Sequence, residues 1–127
     1  MRRFLFLCYL LLLTPVIAQD NTPIYGVVIN TEQVSQGYTL FSPIQDTSAY
    51  LINNEGRIVH QWQSDYSILS LYLLENGHLF MSVIVPNDVF PVGGTGRIEE
   101  YDWDGNLVWS FDYESPNSWL HHDIERL

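Results

Sequence analysis

Lysine is absent from this 127-residue chain, and cysteine occurs once, as Cys8. Positive charge is therefore carried by five arginines, two of which are Arg2 and Arg3 at the front. Behind residue 18 only Arg57, Arg97 and Arg126 face all 15 carboxylates, a formal net charge of −12 against −10 for the whole chain. Affinity for phosphate backbones comes from Lys and Arg, so nucleic acid is excluded as a natural partner. Any anionic substrate has to be held by a few local arginines and histidines. No stretch carries a sustained 3.6-residue apolar period with caps, which excludes long helices. Neither Asn21-Thr22-Pro23 nor Asn117-Ser118-Trp119 meets the Asn-x-Ser/Thr glycosylation pattern. A Gly-x-Ser-x-Gly elbow for serine hydrolysis and a His-Glu-x-x-His metal spacing are also lacking.

The front of the chain explains the lone thiol. "MRRFLFLCYLLLLTPVIAQD" has a basic start, an apolar run from Phe4 to Leu13, a break at Pro15 and the small-residue end Val16-Ile17-Ala18. This order predicts a secretory signal peptide over residues 1–18, cleaved after Ala18. The apolar run is shorter than the roughly 20 residues a spanning helix needs. The expected product is exported, periplasmic or extracellular, with no stable membrane anchor after cleavage. Cys8 leaves with the signal, so disulfides, a thiol nucleophile and a cysteine metal site are excluded. Export without disulfides points to stability drawn from a larger assembly.

What remains, residues 19–127, reads as strand almost throughout. "GYTLFSP" (37–43) is a short apolar run bounded by Gly and Pro. "AYLINNEGRIVHQW" (49–62) predicts strand, turn, strand. "SILSLYLLENGHLFMSVIV" (67–85) predicts a second hairpin turning at Asn76-Gly77, and "GRIEEYDWDGNLVWSFDY" (96–113) a third at Asp104-Gly105. The first and third repeat. Setting Gly56 on Gly105, an offset of 49 residues, aligns Asn53 with Asp102, Val59 with Val108 and Trp62 with Phe111. Two hairpins per repeat make four strands, one blade of a β-propeller at a suitable period. The expected fold is all-β, a propeller of which about two blades are present, so the domain at 19–127 is expected to be incomplete.

Chemistry concentrates at the end. "VGGTGRIEE" (92–100) lacks the Lys-Ser/Thr of a phosphate-binding loop and reads as a loop entering a strand. "DWDGN" (102–106) has a calcium-loop look, but its repeat counterpart "NNEGR" keeps only the glycine, so a hairpin turn explains both. His60 and His78 sit within or beside hairpin strands, as surface or interblade residues do. "LHHDI" is different: it sets His121, His122 and Asp123 side by side. On a strand adjacent side chains point to opposite faces, so both histidines do not ligate one metal. The pattern suits one inward histidine and one packing histidine, with Asp123 able to orient a ring nitrogen and fix its tautomer.

The succession "GYTLFSP", "AYLINNEGRIVHQW", "YLLENGHLFMSV", "GRIEEYDWDGNLVWSF" and "HHDIERL" resembles the N-terminal part of the bacterial arylsulfotransferases, the exported enzymes that do not use a nucleotide sulfate donor. The His-His-Asp phrase after the "YDWDGNLVW" hairpin is the specific part of the match. The resemblance implies a six-bladed propeller with its site at the central channel. It further implies transfer of a sulfuryl group from a phenolic sulfate ester to a phenol, through a sulfated histidine and without a cofactor. Small-molecule aryl sulfates and phenols are the implied partners. By position His121 or His122 matches the earliest channel histidine, while the sulfated histidine and an arginine come from later blades that this sequence does not reach. The alternative expectation is a secreted β-propeller or β-sandwich that binds a partner through its aromatics, with the histidines structural.

Overall fold

A computed structural model describes residues 26–86, 94–115, 118–121 and 123–126. The leader expected at 1–18 and His122 lie outside the described residues. Among the described residues the regular structure is entirely β. The strands are β1 (Tyr38–Phe41), β2 (Ser48–Asn53), β3 (Ile58–Gln63), β4 (Ser67–Leu73), β5 (Leu79–Ile84), β6 (Gly96–Tyr101), β7 (Leu107–Asp112), β8 (Glu114–Ser115) and β9 (Ser118–Trp119). They form a three-stranded sheet β1-β2-β3, a four-stranded meander β4-β5-β6-β7 and a short ladder β8-β9, all antiparallel.

Turn chemistry sets the three hairpins. In each, a backbone N–H at the glycine donates three residues back: Gly56 to Asn53 O at 3.0 Å, Gly77 to Leu74 O at 2.9 Å and Gly105 to Asp102 O at 3.2 Å. The three glycines have φ of 76°, 83° and 83°, the left-handed region where a Cβ is penalised. Side-chain oxygens replace ladder partners at the same points. Asn53 Oδ1 accepts from the N–H groups of Glu55 and Arg57, and Asp102 Oδ1 accepts from Asn106 N–H. Asn106 Nδ2 donates to Asp102 Oδ2 as well, and this bonding, Asn106 first, holds the Asp102 carboxyl below its ordinary pKa. The "DWDGN" carboxylate thus closes its own turn.

The 49-residue offset has a structural counterpart beyond the turn. The β2–β3 register jumps so that Val59 is the extra residue, opposite the Leu51/Ile52 step. The β6–β7 register jumps at Glu100/Tyr101 so that Val108 is extra. These two bulges fall on residues that the repeat aligns, so both hairpins carry the same extra twist.

Alternation along β5 builds the core. Leu79, Met81 and Val83 are fully buried on one face, against Ala49, Leu51 and Trp62 of the three-stranded sheet. Each such side chain contributes about 1.5–3 kcal/mol on burial. A polar lock crosses the same layer. Glu99 is only 2% exposed, and its carboxylate accepts from Ser64 Oγ at 2.8 Å, Arg97 Nε at 2.7 Å and Tyr101 OH at 3.2 Å. Ser64 follows β3 while the others stand on β6, so one carboxylate ties the two sheets together. Burial, and then the Glu99 charge, push the Tyr101 phenol up to about 12. Nearby, Trp62 Nε1 donates to Asp102 O at 2.9 Å. His60 lies between Trp62 and Trp103 with ring centroids 4.3 Å from each, half-buried beside the sheet junction.

The opposite face of the meander is less covered. Every residue of β7 is exposed, and Trp109, Phe111 and Tyr113 share one side as a ladder with centroids 6.2 and 6.4 Å apart. Phe80 extends it from β5, 6.3 Å from Trp109.

Candidate functional site

The stretch that carries His121 and Asp123 lies across this second face, and the "GGTG" run decides how it gets there. Gly94 and Gly96 form a floor beneath the Trp119 indole; a Cβ on either would overlap the ring. Gly96 also has φ +80°, so only glycine meets both demands at the start of β6. Between them Thr95 is fully buried. Its N–H donates to Leu120 O at 2.9 Å, its Oγ1 donates to His121 O at 2.9 Å, and its own carbonyl accepts from Val85 N–H at 2.9 Å. One residue thereby joins the end of β5 to the backbone of the histidine.

Two further tethers follow. Tyr72 OH, on β4, donates to Asp123 Oδ1 at 2.6 Å, and the same oxygen accepts from Ile124 N–H at 2.9 Å. The bond to Asp123, then burial and the charges of Asp123 and Glu125, raise the Tyr72 pKa above its usual value, so this phenol stays protonated. Arg126 Nη1 reaches Glu100 at 3.3 Å, and Glu100 Oε1 also stands 2.8 Å from His78 Nδ1. Glu100 is nearly buried, with 12% of its side chain exposed, and the Arg126 guanidinium and the His78 ring both reach its carboxylate. A cleft of about 490 Å³ opens on the Tyr72 side of this stretch, lined by Tyr72, Leu73, Phe80, Asp123 and Ile124. One of about 620 Å³ opens on the Trp109 side, lined by Ile98, Val108, Trp109, Glu125 and Arg126. Apolar walls beside a few fixed polar groups are what a small aromatic ligand needs.

His121 is exposed and follows β9, outside any ladder, so strict strand alternation does not govern it. Its backbone carbonyl is held by the Thr95 hydroxyl. Asp123 is brought to Tyr72. His122 lies outside the described residues. No cluster of three or more His, Cys, Asp or Glu side chains is set to hold a metal among the described residues.

Sequence reasoning passed over Thr95, Tyr72, Glu100 and the packing of Trp119 on glycine. The one signal for them was the glycine pair around Thr95, whose meaning depends on an indole 23 residues beyond Gly96. Fold and site together define an all-β chain of two antiparallel sheets sharing one core, with a histidine-bearing stretch strapped over the outer face of the second. No family model, curated protein or solved structure matches it.

Proposed function

We propose that this chain forms opening blades of an exported arylsulfotransferase propeller, and that the His121–Asp123 phrase belongs to its sulfuryl-transfer site. The observation that carries the reading is the "HHDIERL" phrase that follows the "YDWDGNLVWSF" hairpin, an order that resembles the arylsulfotransferases. Two facts of the fold support it. The meander β4-β5-β6-β7 has the strand order of one blade. The hairpins 49 residues apart share turn glycine and bulge. In this reading donor and acceptor are a phenolic sulfate ester and a phenol.

The chemistry suits the residue types. Sulfuryl transfer, like phosphoryl transfer, spreads charge over peripheral oxygens and the departing oxygen, so fixed cations and hydrogen-bond donors do most of the work. A histidine near neutral pKa donates a proton to the phenolate leaving group.

The test is phenol release from an aryl sulfate by the product of the full reading frame that carries these residues, with and without a phenol acceptor and without a nucleotide donor. Replacing the channel-facing member of His121 and His122 by Ala lowers transfer by roughly 10²-fold or more. The other histidine costs stability more than rate, and Asp123→Asn falls between. Parent rates from both His→Ala variants remove the phrase from the active site.

The ladder of Trp109, Phe111 and Tyr113 favours a second reading, a secreted binding module that engages a partner through these rings. It takes precedence if the parent transfers no sulfuryl group from simple aryl sulfates.

A further inference from the structure

We infer that Thr95 is a positioning residue for His121, and that the Gly94-Thr95-Gly96 turn exists to aim that imidazole. The inference rests on the sulfuryl-transfer reading, with His121 as the channel-facing histidine, for its catalytic consequence, and on geometry alone for the aiming. Thr95 is fully buried in a loop, where a hydroxyl is retained only if it is satisfied. Its hydroxyl is satisfied by the backbone carbonyl of His121 at 2.9 Å, with Leu120 O at 3.4 Å. Its N–H takes Leu120 O and its carbonyl takes Val85 N–H, both at 2.9 Å, so the residue is itself rigidly framed by the meander. The two flanking glycines seat Trp119, two residues before His121, and leave the intervening backbone little freedom to shift along the sheet. Backbone position sets the direction of the Cα–Cβ bond, and so the region the imidazole can reach.

The hydroxyl is the separable part of this device. Thr95→Val keeps shape and volume, removes the donor and leaves the His121 carbonyl short of one buried partner. Thr95→Ser keeps the donor and loses only a methyl group. Small displacements of a reacting group lower rate far more than binding, by up to roughly 10²-fold for about 1 Å.

The experiment follows the His121 ring and the reaction separately, in the product of the full reading frame. With histidine labelled in its ring nitrogens, Thr95→Val moves the His121 ring resonances and their pH titration, and Thr95→Ser returns them to the parent pattern. With aryl sulfate as donor, Thr95→Val lowers kcat by roughly 10-fold or more at nearly constant KM, and Thr95→Ser restores it. Gly94→Ala, which displaces Trp119 without touching the hydroxyl, moves the same resonances. Unchanged His121 resonances in both Thr95→Val and Gly94→Ala overturn the inference. An inactive parent whose His121 resonances still respond to Thr95→Val refutes sulfuryl transfer and leaves the aiming intact. A Thr95→Val variant too unstable to study passes the decision to Thr95→Ser and Gly94→Ala: resonances that move in Gly94→Ala and hold in Thr95→Ser support it, and the reverse overturns it.

Discussion

The glycine floor under Trp119 makes a sharp stability prediction, because two glycines meet the same ring under different backbone conditions. A Cβ at Gly94 overlaps the indole, and Gly94 does not have a left-handed φ. A Cβ at Gly96 overlaps the indole and Val85, and Gly96 stands at φ +80°. Trp119 is half-buried, so ejecting it forfeits about half of the 3–5 kcal/mol that truncating a buried aromatic costs, or about 2 kcal/mol. Gly94→Ala therefore costs about 2 kcal/mol. Gly96→Ala adds about 1–2 kcal/mol for the left-handed conformation. The double-mutant cycle with Trp119→Ala separates the two. Without the indole, Gly94→Ala becomes nearly neutral, while Gly96→Ala keeps its backbone cost and its clash with Val85. Urea unfolding of the parent, the three single variants and the two doubles gives each value by linear extrapolation. A Gly94→Ala cost that is the same with and without Trp119 refutes the floor.

Three more outcomes follow from other parts of the molecule. Glu99→Ala takes the shared acceptor from Ser64, Tyr101 and Arg97, which keeps its pair with Asp112, and costs about 1–3 kcal/mol in urea unfolding, whereas a distant surface carboxylate such as Glu55 is nearly neutral. Tyr101, held at about 12, ionises after the ordinary tyrosines in an alkaline absorbance titration. Because its folded pKa is raised above the unfolded value near 10, its contribution to stability is present below pH 10 and is lost as pH rises through 12; Tyr101→Phe removes that loss. Exported material begins at or near Gln19 on N-terminal sequencing, and a mature chain that retains Phe4–Leu13 contradicts the signal peptide.

Local chemistry was legible in the sequence and long-range pairing was not. Asn53 to Gly56, Asn76-Gly77 and Asp104-Gly105 announced their turns, because few residues accept a positive φ or close a turn with a side-chain oxygen. The alignment of Val59 with Val108 did not indicate the bulge that the structure gives to both. By contrast, nothing local says that β4-β5 pairs with β6-β7 rather than with β2-β3, since the edges offer the same backbone groups. Nothing within "RIEEY" marks Glu99 as buried, because the group that meets it, Ser64, lies 35 residues earlier. Likewise the loop "VGGTG" looked empty of function because its partners, Trp119 and His121, belong to another segment. His121 and Asp123 stood out by residue type alone, while Tyr72, which holds Asp123, was one apolar-strand tyrosine among eight.

Sulfuryl transfer itself is tested most directly by a single-turnover measurement on the product of the full reading frame. The protein is mixed with an aryl sulfate in the absence of any nucleotide, quenched, and weighed intact, then chased with a phenol. The account predicts a stoichiometric burst of released phenol, a protein heavier by one sulfuryl group in acid-labile linkage to histidine, and its discharge on to the added phenol. No burst and no added mass, from a protein that is folded and exported, contradict it.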